Sequence, residues 1–411
     1  MKHLKVVVSL LFLAAVVFPL MFSRAVEGQA ATEALTTDMD GRTNDLFNGF
    51  GTATDFAANQ GNFEEREAIA DGLGPVYNAQ ACVECHQSPD TGAASQISEF
   101  RAGHNDAFGN FVDAPGGSLI NDRAIASVIQ ERVSSNDPVR TFRMSLSTLG
   151  DGFVECIDSN VLVANVNAQP AGQHGTLISV PVNEASNATR TGRFGWKDQH
   201  ASLMSFSADA YLNEMGITSP LQPTENTSNG ASVAAFDGVA DPEDVAGPGA
   251  PNGVDVTAFT NFMRATRAPG RGAITSQVQT GDTLFNQIGC NICHTRQFTT
   301  APAGTVINQG AFTVPTALGN KIIHPFSDFA LHDVGTGDGI VQNGGQGTKN
   351  QLRTAPLWGV RARIRLMHDG SALTVNDAIL AHFGQANPII NNYINLSTTN
   401  KQALIAFVLS L

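Results

Sequence analysis

The clearest hydrophobic pattern in the chain lies just before residue 290. Leu284, Phe285 and Ile288 are spaced so that a helix would place all three on one face. Gly289 follows directly, and glycine readily adopts the left-handed conformation in which many helices end. The pattern therefore predicts an amphipathic helix that stops at residue 289.

A second helical pattern occupies the C-terminal residues. Ser397 stands where an N-terminal cap is expected, because its hydroxyl can accept a hydrogen bond from a free N–H of the first turn. The apolar positions after it fall on one stripe, which predicts a helix packed against the rest of its domain. These positions are Leu404, Phe407, Val408 and Leu411.

The 411 residues exceed what one compact core usually holds, which suggests two domains. Residues 222–256 are rich in Pro, Gly, Asn and Asp and show no sustained period, so we place the segment between the domains at residues 222–272. The first domain would span residues 26–221 and the second residues 273–411. We expect both to be mainly α-helical. Long loops are also expected, since Gly (40) and Pro (18) together slightly exceed their average usage.

The N-terminal 25 residues have the pattern of a signal peptide. Lys2 and Lys5 precede an apolar run at residues 6–22, and the small residues around 23–25 suit a cleavage site. Pro19 and the short run argue against a lasting membrane helix, although an uncleaved anchor stays an alternative. No later stretch is apolar enough to cross a bilayer. The sequence thus predicts an exported, periplasmic protein.

The charge of the chain narrows the choice of partners. The net charge is −13, and cleavage after residue 25 would remove three positive charges and leave −16. Nucleic acid and anionic lipid are therefore poor partners, whereas a cationic protein would be attracted. The alternative is that the acidity only keeps an exported protein in solution.

Four of the five cysteines lie in two copies of one pattern. Disulfides, thiol redox chemistry and zinc binding are alternatives for cysteines at this spacing. The histidine after each pair favours covalent attachment of c-type haem instead. The two copies are Cys82-Val83-Glu84-Cys85-His86 and Cys290-Asn291-Ile292-Cys293-His294.

The spacing of the motif has a mechanical reason. Two thiols three residues apart on a helical turn can reach the two vinyl groups of one porphyrin, and the next residue places an imidazole beneath the iron. His86 and His294 are then the proximal iron ligands, and the protein would carry two haems in two cytochrome c-like domains. Cys156 has no partner left and is expected to be a small buried apolar residue.

The sixth iron ligands are not fixed by spacing. For each remaining histidine a structural role is the simpler interpretation, and several methionines are also candidates. The histidines outside the two motifs and the signal peptide are His104, His174, His200, His324, His332, His368 and His382.

Several further motifs resemble the peroxidase-like di-haem oxidoreductase family, which is related to bacterial di-haem cytochrome c peroxidases and to the MauG enzyme. They are spread over most of the chain after the signal peptide. The matching stretches are residues 72–78 (GLGPVYN), 192–197 (GRFGWK), 214–220 (EMGITSP), 324–328 (HPFSD) with 331–333 (LHD), and 353–359 (RTAPLWG) running to 367–370 (MHDG).

The resemblance implies a ligand set for the second haem. In the peroxidases its sixth ligand lies fourteen residues after a histidine that corresponds to His368, and that position here is His382. A second histidine would give the second haem a lower potential than a His/Met pair. Met367 is the competing ligand, and His368 is expected to lie against the haem without binding the iron.

The resemblance also implies two residues that take part in the reaction. Glu214 corresponds to the acid above the peroxide-binding face of the first haem, where a carboxylate can carry a proton from one peroxide oxygen to the other. Trp196 corresponds to a tryptophan between the two haems that can relay an electron. The alternatives are a solvated Glu near a helix end and a Trp that only fills space.

Two features of the family have no clear counterpart. A loop histidine can bind the first iron in resting peroxidases, and His174 and His200 are the nearest candidates. Arg363 and Arg365 stand where calcium ligands are expected, and positive side chains disfavour a divalent cation, so a calcium ion is doubtful.

The function implied is a periplasmic di-haem oxidoreductase acting on peroxide or a related oxidant at the first haem. Electrons would enter at the second haem from a small redox protein, a cytochrome or a cupredoxin. The alternatives are a non-enzymatic electron carrier with two six-coordinate irons, and oxidation of another substrate as in MauG.

Overall fold

The computed structural model describes residues 30–39 and 45–411. Helix accounts for 32% of the chain and strand for 17%, so the expectation of a mainly helical protein is confirmed only in part. The predicted signal peptide at residues 1–25 lies outside the described residues.

The α-helices gather around the two cysteine motifs. Helices α1, α3, α5 and α6 surround the first motif, and α7 to α10 surround the second. The α-helices in the described part of the chain are α1 (Ala53–Glu64), α2 (Cys82–Cys85), α3 (Asp151–Glu155), α4 (Ser159–Asn167), α5 (Leu203–Met215), α6 (Val254–Ala265), α7 (Ser276–Ile288), α8 (Val375–Leu380), α9 (Asn387–Ile394) and α10 (Thr398–Val408).

Helix α6 is central to the first group, where it packs against α1, α3 and α5. Its Phe262 ring lies 4.6 Å from the ring of Phe63 in α1, and Phe259 meets Tyr211 of α5 edge to face at 5.0 Å. Cys156 is fully buried in the same core, as expected. The segment at residues 222–272 thus contributes a helix to the core of the first motif, and the domain boundaries stay a prediction.

The second group confirms both helices that the hydrophobic pattern predicts. Gly289 ends α7 with φ +101°, and the Ser397 side chain accepts a hydrogen bond from the N–H of Asn400 at the start of α10. The two helices cross closely at Gly281, where a Cβ atom would lie 2.0 Å from the Ala403 carbonyl oxygen. Only glycine fits this crossing, which buries the apolar stripe of α10.

The strands were not foreseen in the sequence. The largest sheet is antiparallel and four-stranded, with β5 and β6 along one edge of β4 and β8 along the other. The strands are β1 (Thr32–Glu33), β2 (Thr36–Thr37), β3 (Val76–Tyr77), β4 (Ser98–Asn105), β5 (Phe111–Asp113), β6 (Leu119–Ile120), β7 (Arg123–Ala124), β8 (Val139–Met144), β9 (Ser179–Val182), β10 (Ala188–Thr191), β11 (Ala268–Pro269), β12 (Phe298–Thr299), β13 (Val306–Ile307), β14 (Phe312–Thr313), β15 (Lys321–Ile323), β16 (Leu331–His332) and β17 (Leu352–Arg353).

Residues 31–411 form one compact unit. Among the described residues, no helix has the length and apolar character required to cross a bilayer. Strand β4 matters for the site, because its residue Glu99 lines the same cavity as Glu214 of α5 and the first cysteine motif.

Candidate functional site

The first motif forms one helical turn, α2, with His86 directly after it. The ring of Phe63 in the preceding helix lies 6.3 Å from the His86 ring and supports it. Burial lowers the pKa of His86 to about 4, although contacts with the backbone of Leu146 and Ala93 oppose the shift. His86 is therefore neutral at physiological pH, which is the form that binds iron.

The first motif opens into a cavity of about 180 Å³, which Cys85 and His86 line together with Glu99, Glu214 and Trp196. A smaller cavity of about 80 Å³ continues past Cys82. His86 is the only histidine among the described residues in the walls of these two cavities. The methionines Met39, Met144, Met215 and Met263 also line them.

Glu214 lies near the end of α5, which Gly216 terminates with φ +71°. Its Oε2 accepts a hydrogen bond from Asn78 Nδ2 at 2.7 Å, and its carboxyl group also shares a hydrogen bond with Glu99. Burial raises the pKa of Glu214 to about 8, and the negative charge of Glu99 adds to the shift. Glu214 is thus protonated at neutral pH and is not an ordinary solvated acid.

Glu99 is the ionised member of the pair. Burial alone would raise its pKa, but the guanidinium groups of Arg101 and Arg143 hold it below the ordinary value. Arg101 also lines a separate polar cavity of about 350 Å³. The sequence motifs did not point to Glu99. Glu99 and Arg101 are two residues apart, however, and would share one face of a strand, which could have indicated a charged pair.

The second motif lies on a 3-10 turn, Cys290–Ile292, directly after α7. His294 donates from Nδ1 to the Phe326 carbonyl oxygen at 3.0 Å, because a carbonyl can only accept. The Nε2 atom is then the one with a free lone pair. Burial lowers the pKa of His294 to about 4, and the neighbouring His382 adds to the shift.

The second cavity has a volume of about 210 Å³ and a largely apolar wall from α7, α8, α9 and α10. His294, Met367, His368 and His382 all line it. His382 donates from Nδ1 to the Ala378 carbonyl oxygen at 2.7 Å, which leaves its Nε2 free like that of His294. Both sixth-ligand candidates therefore reach the cavity.

Trp196 belongs to the walls of both the first and the second cavity. Its Nε1 donates to the Met144 carbonyl oxygen at 2.8 Å, and its ring meets His368 edge to face at 6.1 Å. The backbone N–H of Met144 in turn donates to the His368 carbonyl oxygen at 2.6 Å. Arg353, Pro356 and Arg363 also line both cavities.

A buried histidine–aspartate pair lies beside the second motif. His332 bonds to Asp328 at 2.8 Å, and its other ring nitrogen is 3.7 Å from the Cys293 sulfur. Burial would lower the pKa of His332, but the bond to Asp328 raises it to about 10. The ligand atoms of Cys293, Asp328 and His332 lie within 4.8 Å of one another, and Cys293 is also the second cysteine of the haem motif.

The loop histidine candidates do not reach the first cavity. His200 pairs with Asp209 at 3.1 Å and lines the polar cavity, and His174 lines neither the first nor the second cavity. His104 bonds to Asp137, and His324 bonds to Glu33.

Of the arginines at the expected calcium position, Arg363 lines both cavities and Arg365 is exposed.

The residues present fit covalently bound haem. Each cavity is lined by cysteine from one motif and by its histidine, and none of the four motif cysteines is in a disulfide. Burial raises the pKa of Cys85 and of Cys290 to about 12, whereas redox-active thiols have a lowered pKa. The thiol redox alternative is therefore disfavoured, and each motif can tether and ligate one haem.

Comparison with known proteins agrees with this geometry. The sequence model of a family described as "Di-haem oxidoreductase, putative peroxidase" matches residues 118–411. No curated protein matches the chain.

Three solved structures resemble the chain at 14% sequence identity. Hydrazine synthase from Kuenenia stuttgartiensis has a TM-score of 0.42 and covers 100% of both chains. A MauG-like protein associated with microbial copper homeostasis has a TM-score of 0.39 and covers 93% of both chains. The diheme peroxidase BthA from Burkholderia thailandensis E264 has a TM-score of 0.33 and covers 93% of this chain and 92% of its own.

Proposed function

The chain belongs to the di-haem oxidoreductase family, and from that premise we propose that it is an exported, periplasmic peroxidase-like enzyme. It would take electrons from a small redox protein and use them to reduce a peroxide. The observation that carries the proposal is the difference between the two cavities. Among the described residues, the first cavity has one histidine and a carboxyl pair. The second has four histidines, of which His294 and His382 donate from Nδ1 and keep Nε2 free.

Each motif would hold one c-type haem through its two cysteines. His86 and His294 would be the proximal ligands, and His382 the second ligand in the second cavity, with His368 against the haem. The haem iron supplies a centre that exchanges electrons and, where one coordination position is open, binds the oxidant. The oxidant would bind in the first cavity, which His86 and Glu214 both line.

Glu214 and Glu99 together hold one proton. Reduction of a peroxide to two molecules of water consumes two electrons and two protons. Glu214 can donate the proton it carries to the departing oxygen. Glu99, which is ionised, can then take up a replacement proton and pass it to Glu214, since the two carboxyl groups are hydrogen-bonded. Arg101 stays cationic: it holds Glu99 ionised from one side and lines the polar cavity on the other.

Trp196 is proposed to relay electrons from the second site to the first. Its place in both cavity walls supports this role, because an indole in that position shortens the distance that an electron must cross. The strong negative charge of the chain favours a cationic donor, such as a small basic cytochrome or a cupredoxin.

The test is peroxide consumption by the matured protein with a reduced, cationic redox protein as electron source. We expect turnover in which two donor molecules are oxidised for each peroxide reduced. A protein that holds two haems and accepts electrons from the donor but consumes no peroxide would instead be an electron carrier.

A further inference from the structure

Arg363 occupies a position shared by the two cavities. It follows the turn Val360–Ala362 and donates its backbone N–H to the Val360 carbonyl oxygen at 3.0 Å. Its side chain lines the cavity that contains His294 and also the cavity that contains His86. The neighbouring Arg365 is exposed and lines neither of them.

The guanidinium of Arg363 has no protein counterion among the described residues. Its Nη2 atom is buried and makes no hydrogen bond there. Burial lowers the pKa of Arg363 to about 10, and no acidic residue opposes the shift. The side chain is still cationic at neutral pH. Arg363 as a whole is partly exposed, but leaving its buried Nη2 atom without an acceptor is costly.

Arg353 and Arg143 in the same walls show the contrast. Arg353 donates from Nε to the Gly195 carbonyl oxygen at 2.7 Å and lies 3.8 Å from Asp198. Arg143 pairs with Asp338 at 2.7 Å. Asp338 compensates Arg143, and Arg353 has a carbonyl acceptor with Asp198 nearby. Arg363 has neither kind of partner among the described residues, which calls for an anion from outside the polypeptide.

We propose that Arg363 binds the propionate carboxylates of both haems and places one fixed positive charge between the two iron sites. Haem is the group that the two motifs fit, and its two propionates are the anions it brings. A guanidinium can bind two carboxylates through different N–H groups. The inference rests on the proposed binding of two haems and does not depend on peroxide reduction.

The position of the charge has a measurable consequence. Reduction of either iron adds one electron, and a nearby positive charge in a low-dielectric site favours the reduced state. Arg363 therefore raises the reduction potential of both haems.

The test is a potentiometric titration of both haems in R363Q, R363K and the control R365Q, with two haems per chain verified by mass. We expect R363Q to lower both potentials, R363K to lower them less, and R365Q to leave them unchanged. Unchanged potentials in R363Q, a shift at one haem only, or an equal shift in R365Q would overturn the proposal. Peroxide turnover plays no part in this readout.

A second measurement avoids any loss of folding in the variants. Resonance Raman spectra of the unaltered protein contain propionate bending bands, whose positions report hydrogen bonding. We expect bands of strongly hydrogen-bonded propionates at both haems. Bands of solvent-exposed propionates at either haem would overturn the proposal.

Discussion

The carboxyl groups of Glu99 and Glu214 share a hydrogen bond in the wall of the first cavity, although 114 residues separate them in the chain. Two arginines keep Glu99 ionised, while burial and the charge of Glu99 keep Glu214 protonated. Two acids with opposite protonation states in one cavity are an arrangement suited to proton transfer.

Glu214→Gln removes the proton carrier and nearly preserves the shape of the side chain. We expect peroxide turnover to fall by roughly 10² to 10⁴-fold, the range typical for loss of a general acid–base group. The spectra of both haems should stay close to those of the unaltered protein. Glu225→Gln is the matched control, since burial also raises the pKa of Glu225 to about 8 but this residue lines neither haem cavity. Unchanged turnover in E214Q would remove Glu214 from the mechanism.

The pH dependence of turnover should report the carboxyl pair. Because the pKa of Glu214 is about 8, the pair loses its last proton above that pH, and turnover should decline there. Glu99→Gln removes the negative charge that raises the pKa of Glu214, so the decline should move to lower pH. The measurement is kcat against pH between 5 and about 10 for both proteins. A decline at the same pH in E99Q would show that Glu99 does not act on Glu214.

The ligand of the second iron can be identified by two substitutions. Met367→Leu should leave the spectrum of the second haem unchanged, because we assign the sixth position to His382. His382→Met should raise the reduction potential of that haem, since methionine favours the reduced iron more than histidine does. Loss of the low-spin spectrum in M367L, with none in H382A, would assign the ligand to Met367.

Trp196→Phe should slow electron transfer between the two haems. The indole is the aromatic group that spans the two cavity walls, and the smaller ring would lengthen the electron path. The rate can be followed after rapid reduction of the second haem. Trp358→Phe is the control, because Trp358 is buried and lines the first cavity but not the second. Equal rates in W196F and in the unaltered protein would leave Trp196 with a packing role only.

Local patterns in the sequence predicted local structure well. The helix before Cys290 and the C-terminal helix follow from spacing and capping residues, and both haem motifs are contiguous. The four-stranded sheet could not be predicted in this way, because its pairs join distant residues such as Phe100 and Phe142. Helix α6 was missed because the irregular residues before it dominate the composition of that segment.

The candidate site shows the same contrast between residues that local motifs identify and residues that only the folded structure brings together. The candidate proximal histidines follow directly from the motifs, whereas the partnership of Glu99 with Glu214 joins two residues that are distant in the chain. The place of Arg363 in two cavity walls also arises only from tertiary structure. The sequence showed a positive side chain at this position but not what it faces.

The most direct test of the account is a carbon monoxide titration of the fully reduced protein. The amount of carbon monoxide bound is compared with the amount of covalently bound haem. The account requires two haems per chain, of which only the one held by His86 has an open position. We predict one carbon monoxide bound for every two haems. Binding of none or of two would contradict the assignment of one reactive and one closed site.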